Sequence, residues 1–121
     1  LKAGVLILLS IILGVLGQLS LKQGMMEEGE ILIRPEKILP TLLLIFSHPF
    51  VLLGLFFYAV STIFWLIVLS RVELSYAYPM LSLGYVLVVF FSWVLWREQI
   101  SSLRIFSLLL ICVGVILLSR S

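Results

Sequence analysis

The chain has 121 residues, 63% of them hydrophobic and 12% charged, with a formal net charge of +2. Its mean hydropathy is +1.30. Soluble domains are about half apolar and roughly a quarter charged, so this composition excludes a soluble globular domain and a disordered chain, and the small net charge excludes a nucleic-acid binder.

Four stretches carry no Asp, Glu, Lys or Arg: Ala3–Leu21, Ile38–Ser70, Leu74–Trp96 and Ile105–Ser119. A helix needs about 20 apolar residues to cross the hydrocarbon core. The expected fold is an all-α membrane protein: four transmembrane helices with a short interfacial helix between the first and second. A single transmembrane domain over 1–121 is expected, because no polar segment is long enough to bury a core of its own.

The first span is expected over about 2–23, flanked by Lys2 and Lys22, whose ammonium groups can snorkel to the two surfaces. It lacks a small-residue cleavage site and is long enough to span, so it reads as a transmembrane helix and not as a cleaved signal peptide. Ser10, Gly14 and Gln18 recur every fourth residue, with Gly17 beside them; such a small-residue face admits a close neighbouring helix. Gly24 is expected to cap the helix C-terminus.

The segment 35–46 reads as a short helix near one surface. Pro35 is placed for a first turn, and the apolar run between Pro40 and Pro49 is too short to cross about 30 Å at about 1.5 Å per residue. The second span follows over 49–70, with Ser47 as expected N-cap and Pro49 in the first turn. His48 reads as an interfacial helix-start residue rather than a proton relay, which needs an intramembrane chain of ionisable groups. The third span covers 75–96, with Pro79 near its start and Trp93 and Trp96 at the far end, where aromatic belts meet headgroups. Ser101 is expected to cap the fourth span, 101–119. Lys22, Arg34, Lys37, Arg97 and Arg104 in the first and third loops outnumber Lys2, Arg71 and Arg120. This excess favours those loops inside and both termini outside.

No catalytic set is present, which points away from an enzyme. The chain has one histidine and one cysteine, no metal-ligand spacing and no glycine-rich phosphate loop, so no metal and no cofactor is expected. Cys112, alone in mid-span, reads as a small apolar packing residue. The spans hold no carboxylate and no lysine in their interiors. Their polar groups are neutral: Gln18 on the first, Tyr58, Ser61 and Thr62 on the second, Tyr76, Tyr78, Ser82 and Tyr85 on the third. They read either as hydrogen bonds between helices or as the lining of a neutral cavity. Gln18, beside two glycines that leave room, is the leading candidate for the second role. The tyrosines at helix ends read first as interface anchors.

Three strings, in register over nearly the whole chain, resemble a known family. They are Gly17-Gln18-x-x-x-Lys22-x-Gly24, Ala77-Tyr78-Pro79-Met80-Leu81-Ser82-Leu83, and Arg97-Glu98-x-x-Ser101 leading to Ile111-Cys112-x-Gly114-Val115. The chain resembles the small four-helix members of the drug/metabolite transporter superfamily, EamA-like and small multidrug resistance-like. It is especially similar to the branch that flips aminoarabinose-phosphoundecaprenol across the bacterial inner membrane. Small multidrug resistance proteins carry a mid-helix glutamate that exchanges proton for cationic drug; aligning on Gly17 and Lys22 places Gly14 there, so that group is missing.

The resemblance implies a multi-pass inner-membrane transporter working as a homodimer or as a heterodimer with a related four-helix subunit, on a polyprenyl-phosphate-linked sugar. The expected substrate-binding set is Gly14, Gly17, Gln18, Lys22, Tyr78 and Ser82, with Gln18 chosen for the room its glycines leave and Lys22 for its charge and span-end position. Lys22 and Arg71, at opposite membrane sides, would serve as two phosphate stations. Ser107, Ile111, Gly114 and Leu118, along one side of the fourth span, are an expected subunit contact. Two other readings stay open: an exporter of small cations or metabolites, and a non-transporting partner of a glycolipid-synthesis enzyme.

Overall fold

The computed structural model of the chain describes residues 2–32 and 34–121. Its elements are α1 (Ala3–Glu28), a 3-10 turn (Pro35–Lys37), α2 (Ile38–Ser47), α3 (Pro49–Leu69), α4 (Leu74–Met80), α5 (Leu83–Trp96) and α6 (Ser102–Ser119). Among the described residues, four spans are long and apolar enough to cross a bilayer: α1, α3, α4 with α5, and α6. The short helix lies between the first two, as expected. At about 1.5 Å per residue, ten-residue α2 is about 15 Å long, half the hydrocarbon thickness.

Three local expectations are corrected. First, α1 does not stop at Gly24. That glycine is where α3 comes close: a Cβ on it would stand 3.1 Å from the Val51 amide nitrogen. Met25, Met26, Glu27 and Glu28 are helix-compatible and carry α1 onward. It ends at Gly29, where φ is 81° and the backbone N–H donates to the Met25 carbonyl.

Second, the N-cap of α3 is His48 and not Ser47. The His48 Nδ1 accepts from the Phe50 N–H at 3.1 Å. Ser47 closes α2, with its hydroxyl donating to the Leu44 carbonyl. Pro49 takes the first helical position, where no N–H is needed.

Third, the third span is not one continuous helix. Pro79 has no N–H for the Ser75 carbonyl, and its ring crowds that oxygen. The chain answers with a tighter turn: Leu81 donates to the Tyr78 carbonyl, Ser82 to Pro79, Gly84 to Leu81 and Tyr85 to Ser82. Helix resumes at Leu83. Ser101 caps α6 as expected, accepting from the Arg104 N–H at 3.1 Å.

α1 is the centre of the assembly, packed on α3 most extensively and on α5 next, whereas α3 and α5 barely touch one another. The α1–α3 contact is made by glycines facing each other. A Cβ on Gly54 would come within 2.8 Å of the Gly17 carbonyl oxygen, so the two backbones meet directly. Lower down, Ser10 and Ser61 are both buried and donate to each other's backbone carbonyls, at 3.2 and 3.0 Å. The apolar core gathers at that same end: Leu6, Ile7 and Ile11 of α1, Val68 of α3, Ala77 and Met80 of α4. At the other end the Trp96 indole donates to the Gln23 side-chain oxygen at 2.9 Å. Within the chain, Ile111, Val115 and Leu118 of α6 face this core, while nothing lies within 4 Å of where a Gly114 Cβ would stand.

Candidate headgroup cleft

Because α3 and α5 both lean on α1 and not on each other, a wedge opens between them with α1 as its floor. It encloses a cavity of about 420 Å³, the size of a small-molecule site. From α1 the floor is Ser10, Ile11, Gly14, Val15 and Gln18; one wall is Tyr58, Ser61, Thr62 and Trp65 of α3. The other wall is Leu81, Gly84, Tyr85 and Val88, from the proline turn and α5. Ser10 to Gln18 covers about 12 Å along α1. Gly14, Ser61 and Tyr85 each sit near the middle of their span, so the cavity is at mid-membrane depth.

The lining is largely apolar, with neutral hydroxyl and amide groups set into it and no carboxylate or amine. The Gln18 amide donates to the Tyr58 hydroxyl, joining the floor to the α3 wall. Thr62 returns its proton to the Tyr58 carbonyl at 2.8 Å. Gly14 keeps the floor low: a Cβ there would meet only the Ser61 hydroxyl, at 3.6 Å. Gln18, Thr62 and Tyr85 remain exposed in the structure, Tyr85 at 61%. Neutral polar groups left open at mid-membrane depth are the unusual feature, since lipid tails offer them no partner.

Of the residues named from the sequence, Gly14 and Gln18 line this cleft. Gly17 lies beneath it, buried under the Tyr58 ring and Gly54, so it sets helix spacing. Lys22 is exposed one helical turn beyond Gln18, outside the cavity. Tyr78 sits edge-on to Trp65, with ring centroids 6.3 Å apart, and borders the site only through that contact. Ser82 lies in the proline turn, partly buried, and does not line the cavity. Arg71 is in the link between α3 and α4. Trp65 was not singled out from the sequence, whereas Tyr58, Ser61, Thr62 and Tyr85 stood there among the neutral polar groups that pair helices or line a cavity. Tyr58, Ser61, Thr62 and Trp65 fall on one face of α3 at helical spacing, which is the pattern that marks them. His48, outside the spans' interiors, places its Nε2 3.5 Å from a Glu27 carboxylate oxygen and 4.0 Å from one of Glu28, tying α3 to the end of α1.

Comparison with known proteins supports the motif reading. A Pseudomonas fluorescens protein described as a probable 4-amino-4-deoxy-L-arabinose-phosphoundecaprenol flippase subunit ArnE is 41% identical over 68 residues, 56% of this chain and 60% of that protein. A Salmonella enteritidis protein of the same description is 38% identical over 61 residues, 50% of this chain and 55% of its own length. A third, from Pseudomonas aeruginosa, is 46% identical over 57 residues, 47% of this chain and 50% of its own. The chain spans about half the length of the curated relatives it matches. No family model matches it, and no solved structure does. The relatives are flippase subunits rather than enzymes. With four apolar spans and these bacterial relatives, the chain is a multi-pass inner-membrane protein similar to the ArnE-type flippase subunits, as its motifs indicate.

Proposed function

We infer that the chain is one subunit of a transporter that moves a polyprenyl-phosphate-linked amino sugar across the bilayer. The substrate class is that of its relatives, 4-amino-4-deoxy-L-arabinose-phosphoundecaprenol. The observation that carries this reading is the uncharged cleft at mid-membrane depth, largely apolar with neutral hydroxyls and one amide set into it, open on its side between α3 and α5. A lipid-linked sugar needs that shape. Its long tail stays in the hydrocarbon, and only the headgroup needs a slot with hydrogen-bonding sides. Gln18 can donate to sugar or phosphate oxygens and accept from sugar hydroxyls. Lys22, one turn away, would meet the phosphate at one rim, with Arg71 serving at the opposite membrane side.

A cation antiporter fits this cleft less well, because exchange needs a buried acid whose proton is swapped for the substrate, and the lining has none. Four spans leave the cleft open at its side, so a second subunit is expected to close it, either another copy or a related four-helix chain. Proteoliposomes holding the protein and its partner test the reading, with the amino-sugar lipid in one leaflet. Gln18→Ala should lower transport with folding nearly intact, and Gly14→Leu should lower it further by filling the floor. Full turnover in both variants would overturn the assignment of the cleft.

A further inference from the structure

We propose that His48, Glu27 and Glu28 form a proton-binding site at the membrane surface, and that filling it exchanges the cap of α3 for a clasp onto α1. The site lies outside the cleft, and the proposal does not rest on the flippase reading.

His48 uses both ring nitrogens. Nδ1 accepts from the Phe50 N–H at 3.1 Å. An accepting nitrogen carries no proton, so the capping ring is the neutral form with its proton on Nε2. That Nε2 faces two carboxylates, 3.5 Å from a Glu27 oxygen and 4.0 Å from one of Glu28. The His48 side chain is only 13% exposed and that of Glu28 17%, so water screens them less than an open surface pair.

The two contacts ask for opposite protonation states. A second proton has to go on Nδ1, where it turns the acceptor into a donor aimed at the Phe50 N–H. The cap is then lost. The same proton gives the ring a full positive charge beside two carboxylates, which draws it toward the end of α1. The charges around this group are few. α2 and α3 contain no Asp, Glu, Lys or Arg. Lys22 of α1 is exposed, as are Glu30, Arg34, Glu36 and Lys37 between α1 and α2. Arg97, at the end of α5, lies over the Trp93 ring at 5.8 Å. Histidine is the side chain that ordinarily changes charge between about pH 5 and 8.

The place of His48 in the chain turns this exchange into movement. It is at once the C-cap of α2 and the N-cap of α3, a single extended residue with φ −71° and ψ 132°. Pro49 fixes the next φ, so the joint between the two helices is His48 itself. α2 buries no residue and packs chiefly on α3. Protonation therefore loosens the first turn of α3 and lets α2 pivot.

The test follows the whole chain in nanodiscs from about pH 8 to about pH 5.5. Amide exchange is read at Phe50, Val51 and Leu52, each rate divided by that of an unstructured peptide at the same pH. Protection at Phe50 should fall about fivefold, the scale of a lost N-cap. His48→Asn keeps a capping acceptor but takes no proton, so its protection should hold at both pH values. Glu27→Gln with Glu28→Gln should move the fall to lower pH. Spin labels at Leu43→Cys and Phe56→Cys, both exposed sites, in a Cys112→Ala background, should report an α2–α3 distance that changes with pH, and one that stays fixed once His48→Asn is added. A parent protein that stays protected at the lower pH, or a His48→Asn protein that loses as much, would overturn the proton site. A parent distance equal at both pH values would overturn the pivot.

Discussion

Adding one methyl group at Gly54 should damage the protein, whereas adding one at Gly14 should not. In Gly54→Ala the new Cβ would stand 2.7 Å from the Leu21 Cγ and 2.8 Å from the Gly17 carbonyl oxygen. The leucine can rotate away, but the carbonyl belongs to the α1 backbone, so α1 and α3 must separate. Overpacking of this kind costs about 1–3 kcal/mol, against which alanine's better helix propensity returns about 1 kcal/mol. The net expectation is a loss of about 0–2 kcal/mol, which puts Gly54→Ala about 1–3 kcal/mol below Gly14→Ala. In Gly14→Ala the new Cβ meets the Ser61 hydroxyl at 3.6 Å, an ordinary contact. Only the propensity gain remains there, so stability should hold or rise by up to about 1 kcal/mol. Far-UV circular dichroism during SDS titration from a mild detergent reads both on the same scale. A Gly54→Ala protein as stable as the Gly14→Ala protein would refute the backbone contact at Gly17–Gly54.

Other expectations follow from single contacts. Ser10→Ala and Ser61→Ala should each cost about 0.6–1.7 kcal/mol, the range for hydrogen bonds between membrane helices, because each removes one hydroxyl donated to the facing backbone carbonyl; no loss in either would mean these bonds do not hold α1 to α3. His48→Ala should remove the cap on Phe50 and loosen the start of α3 by about 1 kcal/mol, read as faster amide exchange at residues 50–52, while Ser47→Ala should leave that exchange unchanged. Pro79→Ala should let helix run unbroken through Met80 to Leu83. Spin-label distances between the ends of the third span should then change, and an unchanged distance would place the cause of the break elsewhere.

Much of the architecture was legible because the bilayer imposes it. Charge-free runs and flanking charges located the spans, and Pro40 and Pro49, which interrupt the run Ile38–Ser70, separated α2 from them. What failed was tertiary. Gly24 looks like a helix stop in sequence, yet its use is decided by Val51 arriving from another helix. Ser47 and His48 are both able to cap, and the choice depends on where α2 ends. The cleft was half legible. Gln18 and Gly14 stood out because a polar residue beside glycines is rare in an aliphatic helix. Trp65 did not, since α3 also holds Phe56, Phe57 and Phe64 and a ring in such a helix carries no mark of its direction. That α3 and α5 would stand apart, opening the wedge, follows from how each packs on α1, which no single stretch of sequence states.

The central claim is that the headgroup passes between α3 and α5. Photocrosslinking tests it most directly: a short-chain polyprenyl phosphate bearing a diazirine on its sugar is added to the protein with its partner in membranes, and the labelled peptides are identified by mass spectrometry. The account predicts label on the stretches 58–65 and 81–88 together with 10–18, competed away by unlabelled amino-sugar lipid. Competable label confined to α2 and the outer face of α6, with none on those three stretches, would contradict it.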